Sequence, residues 1–355
     1  MKGNAFVQGV FAMRKLLRAA LLAVLVMTGL AAVPSAAQAD NGCAGVVRSE
    51  SCKHGLPAWE YDALLAQMQA HSPRSLPRVS VNSAELRRYS MYQLPRKDVT
   101  FYDAPGGNPV ATVNPGYAFT AVREQRDGWV RVDEGRWLPA DQLSATRASS
   151  FSGVLLNGYP PFPLLWMARS VHAAEVPGGK MLQRLPVLVK HTPYYIFKTV
   201  RVGNWDWYLI GDGMWVEQRN VAVLAPVEPK HSGRWIAVDL YEQVAVALEG
   251  GTPVFATLIS SGLAKTPTRE GMFAVWAKLR SGSMSGYEGK PEQYNIPVVP
   301  YILYFDGSIG LHGTFWHNGF GYRHSRGCVN LSISDAKWLY NFAEVGTPVY
   351  VWRSR

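Results

Sequence analysis

From residue 234 onward the chain alternates between apolar runs and short polar breaks. WIAVDL, QVAVAL and PVFATLIS follow one another with turn-forming residues between them, and YILYF and VGTPVYVW come later. Short runs rich in β-branched and aromatic residues, bounded by turn formers, predict strands. One helix interrupts them near Ser334, which suits an N-cap before Asp335. Ala336, Leu339, Tyr340, Phe342 and Ala343 give it an apolar side, and Gly346 suits its stop. Nearer the N-terminus, Trp59 to Gln69 places Tyr61, Leu64, Leu65 and Met68 at helical spacing. Pro73 and Pro77 would end that helix.

Between these regions two segments repeat one another, roughly Asp98 to Leu143 and Val171 to Leu224. Each has Pro-Gly-Gly near its start, at Pro105 and at Pro177. Trp129, Gly135 and Trp137 stand at the same intervals as Trp207, Gly213 and Trp215. GWVRVDEGRWLPADQL and DWYLIGDGMWVEQRNV both read as strand, turn, strand, so two copies of one small module are expected. The pattern resembles bacterial Src-homology-3-like (SH3-like) barrels, which are frequent in secreted wall enzymes. That resemblance implies wall binding through exposed aromatics, against the simpler reading of Trp as core. The Pro-rich LAPVEPKHSG then reads as a linker.

The expected organisation is a signal peptide over 1–39, a lead segment over 40–95, and SH3-like repeats over 96–147 and 150–224. A linker over 225–233 and a last domain over 234–353 follow. The fold class is mainly β: two small barrels, then a β-rich domain with a short helix after its reactive loop.

Composition sharpens this. Arg14, Lys15 and Arg18 precede an apolar run from Ala19 to Val33, and Ala37-Gln38-Ala39 is a small-x-small cleavage site. That is the pattern of a secretory signal, and the run is short for a spanning helix. The formal charge is +10; residues 1–39 hold four basic residues and no acid, which leaves +6 beyond them. A basic exported protein is drawn to anionic envelope polymers. Export, and the lack of a dense Lys/Arg cluster with interleaved aromatics, argue against nucleic acid. Of the three cysteines, Cys43 and Cys52 lie close together and would tend to oxidise outside the cytoplasm. Cys328 is left over, either a reactive thiol or an inert buried one.

The densest reactive stretch runs from Leu311 to Ser332, LHGTFWHNGFGYRHSRGCVNLS. It holds His312, His317, His324 and Cys328 among glycines, between a strand and a helix. A thiol needs an imidazole to take its proton or to hold the thiolate as an ion pair. Acyl transfer also needs N–H donors for an oxyanion, which a Gly-containing turn can supply.

Here the sequence resembles the L,D-transpeptidase catalytic domain. That family shows His-Gly, a gap of about a dozen or more residues, then Ser-His-Gly-Cys-hydrophobic-Asn or Arg. This chain has His312-Gly313-Thr314, then Ser325-Arg326-Gly327-Cys328-Val329-Asn330. Upstream, VDLYEQVAVALEGGTPVFATLISSGLAKTPTREGMF is similar to the family's opening strands and Ser-Gly…Pro-Thr…Gly-x-Phe segment. Downstream, LSISDAKWLYNFAEVGTPVYVW is similar to its closing helix and strand. The resemblance implies Cys328 as nucleophile on a stem-peptide carbonyl and His312 as proton donor and acceptor. It further implies that the Gly313 carbonyl orients the imidazole and that backbone N–H groups at Gly327 and Cys328 hold the oxyanion. Ser325 and Asn330 would fix the loop by hydrogen bonds.

One departure stands out. Arg326 occupies the place of the family's second His. It would favour thiolate, bind a substrate carboxylate, or do neither. Trp316, Tyr301 and Tyr304 are cleft candidates, with core packing as the alternative; Arg326, Trp316, Tyr304 and Asn330 are the expected substrate-binding set. His317 and His324 read as loop residues. The His and Cys spacings match no compact zinc pattern, and neither metal nor cofactor is expected.

The expected function is therefore a secreted, wall-associated, monomeric L,D-transpeptidase forming 3→3 cross-links between peptidoglycan stem peptides. The repeats would touch glycan or other anionic wall polymers. Hydrolysis to an L,D-carboxypeptidase, protein anchoring, and a non-catalytic wall-binding protein are the rivals. Papain-like and wall-amidase folds put Cys before His, and sortase-like enzymes space them farther apart.

Overall fold

A computed structural model describes residues 37–38, 42–72, 76–132 and 135–355. The expected signal segment lies outside them apart from residues 37–38, and so does Pro73.

The C-terminal region is mainly β and built on two sheets. The first contains β1 (Arg234–Asp239), β2 (Val244–Glu249), β3 (Thr252–Leu258), β4 (Gly271–Ala274) and, at the end of the chain, Pro348–Trp352. Its order is 154–155, β3, β2, β1, 348–352, β4, antiparallel except where β1 meets 348–352. The apolar runs of β1 and β2 have a direct cause. Ile236, Val238, Ala245 and Ala247 face one core; Trp235, Ala237, Val244 and Val246 face another. A strand buried on both faces reads as unbroken hydrophobic sequence.

The second sheet contains β5 (Ala277–Gly286), β6 (Tyr294–Asp306), β7 (Ile309–Gly313) and β8 (Val329–Leu331). YILYF is only the C-terminal part of the long β6. The β5 sequence is polar and Ser/Gly-rich, and it is held by backbone pairing to β6. Between the sheets lies a core that includes Phe255, Ile302, Leu303, Leu311, Val329 and Leu331. The helix Ile333–Phe342 closes it with Ile333, Ala336, Leu339 and Phe342. Its N-cap is Ser332, not Ser334: the Ser332 hydroxyl accepts from the Asp335 N–H at 3.2 Å. Ser332-x-x-Asp335 has the spacing that lets one hydroxyl reach the N3 amide.

The lead helix covers Ala58–Ala70 and buries Tyr61, with Leu64, Leu65 and Met68 packed beside Trp207, Leu209 and Trp215. Cys43 and Cys52 form a disulfide, their Cα atoms 5.5 Å apart.

The repeat is present as a hairpin of identical register. Trp129 pairs with Pro139 and Arg131 with Trp137; Trp207 pairs with Glu217 and Leu209 with Trp215. A 3-10 turn follows each, at Ala140–Gln142 and Gln218–Asn220. Among the described residues neither segment closes into a barrel. In the first, residues 99–139 make an open five-stranded sheet. Strands 92–93, 117–120 and 144–145 leave it and extend the second sheet, where 117–120 runs parallel to β6. In the second, the strands divide among small separate sheets. Among the described residues the segments expected to form SH3-like barrels thus lie in open sheets, and strands of the first join the neighbouring sheet.

Candidate active site

His312 lies on β7, and Cys328 directly precedes β8. These strands pair in parallel, with Leu311 opposite Val329, His312 opposite Asn330 and Gly313 opposite Leu331. Leu311, Val329 and Leu331 face the core between the sheets. Side chains alternate along a strand. His312 and Asn330 therefore share the opposite face, and Cys328 stands immediately before the first residue of β8.

His312 is 2% exposed. Its Nδ1 donates to the Gly313 carbonyl at 3.1 Å. That bond places the proton of the neutral ring on Nδ1 and leaves Nε2 as the free base. Burial lowers its pKa to about 4, opposed by the Gly313 bond. Gly313 is needed for close approach, since a Cβ there would meet Pro300 Cγ at 2.8 Å.

The Cys328 side chain is partly accessible from outside, yet closely surrounded. Loss of solvent pushes its thiol up to about 11, with a Gly310 backbone hydrogen bond pulling the other way. Its Sγ lies 3.9 Å from the Ser308 carbonyl oxygen. At neutral pH the resting pair is thiol and neutral imidazole, because burial penalises both charges.

The loop before Cys328 is tightly held. Gly327 has φ +120°, and a Cβ there would meet Ile309 Cδ1 at 2.6 Å, so both conformation and space demand glycine. Its N–H donates to Ser325 Oγ at 3.1 Å, and that hydroxyl donates to the Cys328 carbonyl. The N–H expected to hold an oxyanion is thus engaged within the loop. A turn at residues 260–268 cradles the same segment. Ser260 and Asn330 exchange backbone hydrogen bonds at 2.9 Å, and Leu263 N–H donates to the Ser325 carbonyl at 2.9 Å. Thr268 Oγ1 donates to the Gly327 carbonyl at 2.7 Å and accepts from Gly262 N–H at 2.9 Å. Ser260 and Thr268 carry no catalytic chemistry, so only the Ser-Gly…Pro-Thr pattern pointed to this turn.

The other histidines stand together. His317 and His324 stack with centroids 4.7 Å apart. His317 is lowered to about 3, chiefly by burial. Its Nδ1 accepts from Gly319 N–H at 3.0 Å, so Nε2 carries the proton and meets the Asn330 amide 2.9 Å away. The oxygen of that amide is the end that suits the contact. Among the described residues no group of His, Cys, Asp or Glu converges as a metal site.

Of the aromatic candidates, Trp316 packs against His312 (5.8 Å) and Phe119 (6.1 Å), and Tyr304 stacks on Trp276 at 5.6 Å. Tyr304 and Tyr294 are both close enough for a Cys328 thiolate to raise their phenol pKa, after the larger effect of burial. Tyr294 was not singled out by sequence. Tyr301 is buried, and its hydroxyl donates to Glu85, away from the cleft. The Arg326 guanidinium lies 5.0 Å from the Tyr294 ring centroid and 5.7 Å from that of Tyr117.

Residues 233–351 match the model of the YkuD family, the L,D-transpeptidase catalytic domain. The probable L,D-transpeptidase ErfK/SrfK of Salmonella typhimurium is 34% identical over 70 residues, 18% of this chain and 23% of that protein. The probable L,D-transpeptidase 3 of Mycobacterium tuberculosis is 30% identical over 99 residues, 26% of this chain and 36% of that protein. The chain thus spans well under half of the length of these curated relatives. The solved catalytic domain of the E. faecium L,D-transpeptidase is 32% identical, covering 35% of this chain and 99% of that one, with a TM-score of 0.32.

Proposed function

Taking residues 233–351 as an L,D-transpeptidase catalytic domain, we propose that the protein is a secreted peptidoglycan L,D-transpeptidase that forms 3→3 cross-links through a Cys328 acyl-enzyme. The observation that carries this reading is the His312 Nδ1–Gly313 bond, which leaves Nε2 basic on the strand paired with the one that Cys328 leads into.

The reaction starts from the neutral pair. As sulfur attacks the stem-peptide carbonyl, the thiol proton passes to His312 Nε2. The Cys328 N–H is the donor assigned to the oxyanion, while Gly327 gives the turn its shape. Collapse forms a thioester and expels the D-residue, whose amine takes the proton from His312. The amine of a second stem peptide then gives a proton to His312 and attacks the thioester. A new amide forms, and the thiol is restored with the proton returned.

The test is carbapenem treatment followed by intact-mass measurement, with muropeptide analysis after incubation with wall peptides. An adduct lost in Cys328→Ala, together with stem-peptide dimers, is the expected result. Trimmed monomers without dimers would replace cross-linking by hydrolysis. A well-folded chain that takes no adduct and alters no muropeptide would refute an enzymatic role.

A further inference from the structure

The Tyr117 ring joins two cations that come from opposite ends of the chain. Arg326, two residues before Cys328, lies 5.7 Å from its centroid; Arg96, from the first repeat segment, lies 4.2 Å from it. Tyr294 completes the wall, 5.0 Å from Arg326 and within electrostatic reach of Cys328. The juxtaposition is built into the backbone: Tyr117 is paired directly with Tyr294 where strand 117–120 runs parallel to β6. Gly116 allows that approach, since a Cβ there would meet the Gln293 carbonyl oxygen at 2.4 Å. Among the described residues neither Arg96 nor Arg326 has a carboxylate partner.

A guanidinium laid against an aromatic ring keeps its N–H edge free, and that edge matches a carboxylate. Two such groups on one ring, one of them two residues from Cys328 and neither paired with an acid among the described residues, favour an anionic ligand group. We infer that Arg96, Arg326, Tyr117 and Tyr294 form a composite subsite for a free carboxylate of the peptide substrate, so that the first repeat segment supplies part of the substrate site. This inference rests on the proposed action on stem peptides. The carboxylate is either that of the peptide's C-terminus or that of a side chain near the scissile bond.

The experiment measures binding separately from turnover. The full chain carrying Cys328→Ser is titrated calorimetrically with three synthetic stem tetrapeptides: free acid, C-terminal amide and side-chain amide. Arg96→Gln is expected to weaken the free acid roughly three- to ten-fold, a range discounted for the exposure of Arg96. It leaves unchanged the amide that lacks the recognised carboxylate, which identifies the source. Arg96→Lys retains part of the affinity, and Arg126→Gln, which lies over Trp137 in the same segment, changes nothing. Equal affinity of Arg96→Gln and its parent for all three peptides would overturn the subsite, as would an equal loss for all three or no binding at all. Discrimination by Arg96 without muropeptide dimers would leave the subsite standing and remove the cross-linking reading; dimers without discrimination would do the reverse.

Discussion

The two repeat segments share a hairpin register but meet the C-terminal domain in different ways. The first lends strand 117–120 to the sheet that carries His312, and its Phe119 packs edge-on against Phe315 at 5.4 Å. The second covers the far side of the other sheet, where Leu164, Trp166, Tyr195 and Leu224 bury Trp235, Ala237 and Val246. One copy extends the sheet that carries His312, while the other buries the back of a sheet. A local pattern thus specifies a hairpin without specifying its neighbours, because docking depends on residues outside the repeated motif. The contrast also explains why β1 is apolar from Trp235 to Val238: without the second segment, half of that run would face water.

The largest effect belongs to the reactive side. Iodoacetamide needs the thiolate, so with a thiol held near 11 the alkylation rate of Cys328 should climb roughly ten-fold per pH unit, about a thousand-fold between pH 7 and 10. A rate already level from pH 6 upward would mean a resting ion pair instead. Trp166→Ala tests the back face. That side chain is fully buried, and its loss should lower stability by about 3–5 kcal/mol in denaturant unfolding. The alkylation slope of the remaining folded protein should not change; a changed slope would show that the back face is coupled to the site.

Asp335 probes the seam, since its carboxylate accepts from Gly153 N–H at 2.8 Å and from Thr257 Oγ1 at 2.7 Å. Burial raises it from 3.8 to about 6. The folded state holds that proton more tightly than the unfolded state. This contribution is therefore full below about pH 4 and declines as pH rises toward 6, by at most ~3 kcal/mol. Asp335→Asn should flatten that part of the stability profile, and an unaltered slope would assign it to other groups. The smallest effect is expected for Trp129→Ala, half-buried at the first hairpin, at about 1 kcal/mol. A cost equal to that of Trp166→Ala would erase the distinction between the segments.

Much of this was legible in the chain. Strands β1 to β3 announced themselves because both faces are buried, and the lead helix because Tyr61 and its neighbours fall on one side. His312 and Cys328 stood out because the densest run of reactive residues sets them in the His-Gly and Ser-x-Gly-Cys arrangement of the family that the sequence resembles. β5 was hidden because its exposed, polar residues carry no alternation and backbone pairing alone holds it. The helix cap was misplaced by two residues because two serines precede Asp335 and only hydrogen-bond geometry chooses between them. Tyr294 and Arg96 were missed for a common reason. Tyr294 reaches Cys328, and Arg96 reaches the Tyr117 ring beside Arg326, through tertiary packing that no nearby sequence feature records.

The parallel ladder between β7 and β8 also separates two design problems. Registry across adjacent strands, not the length of residues 314–327, fixes His312 opposite Asn330, two residues past Cys328. Such a connector can be lengthened, shortened or redecorated without moving the strands that it joins.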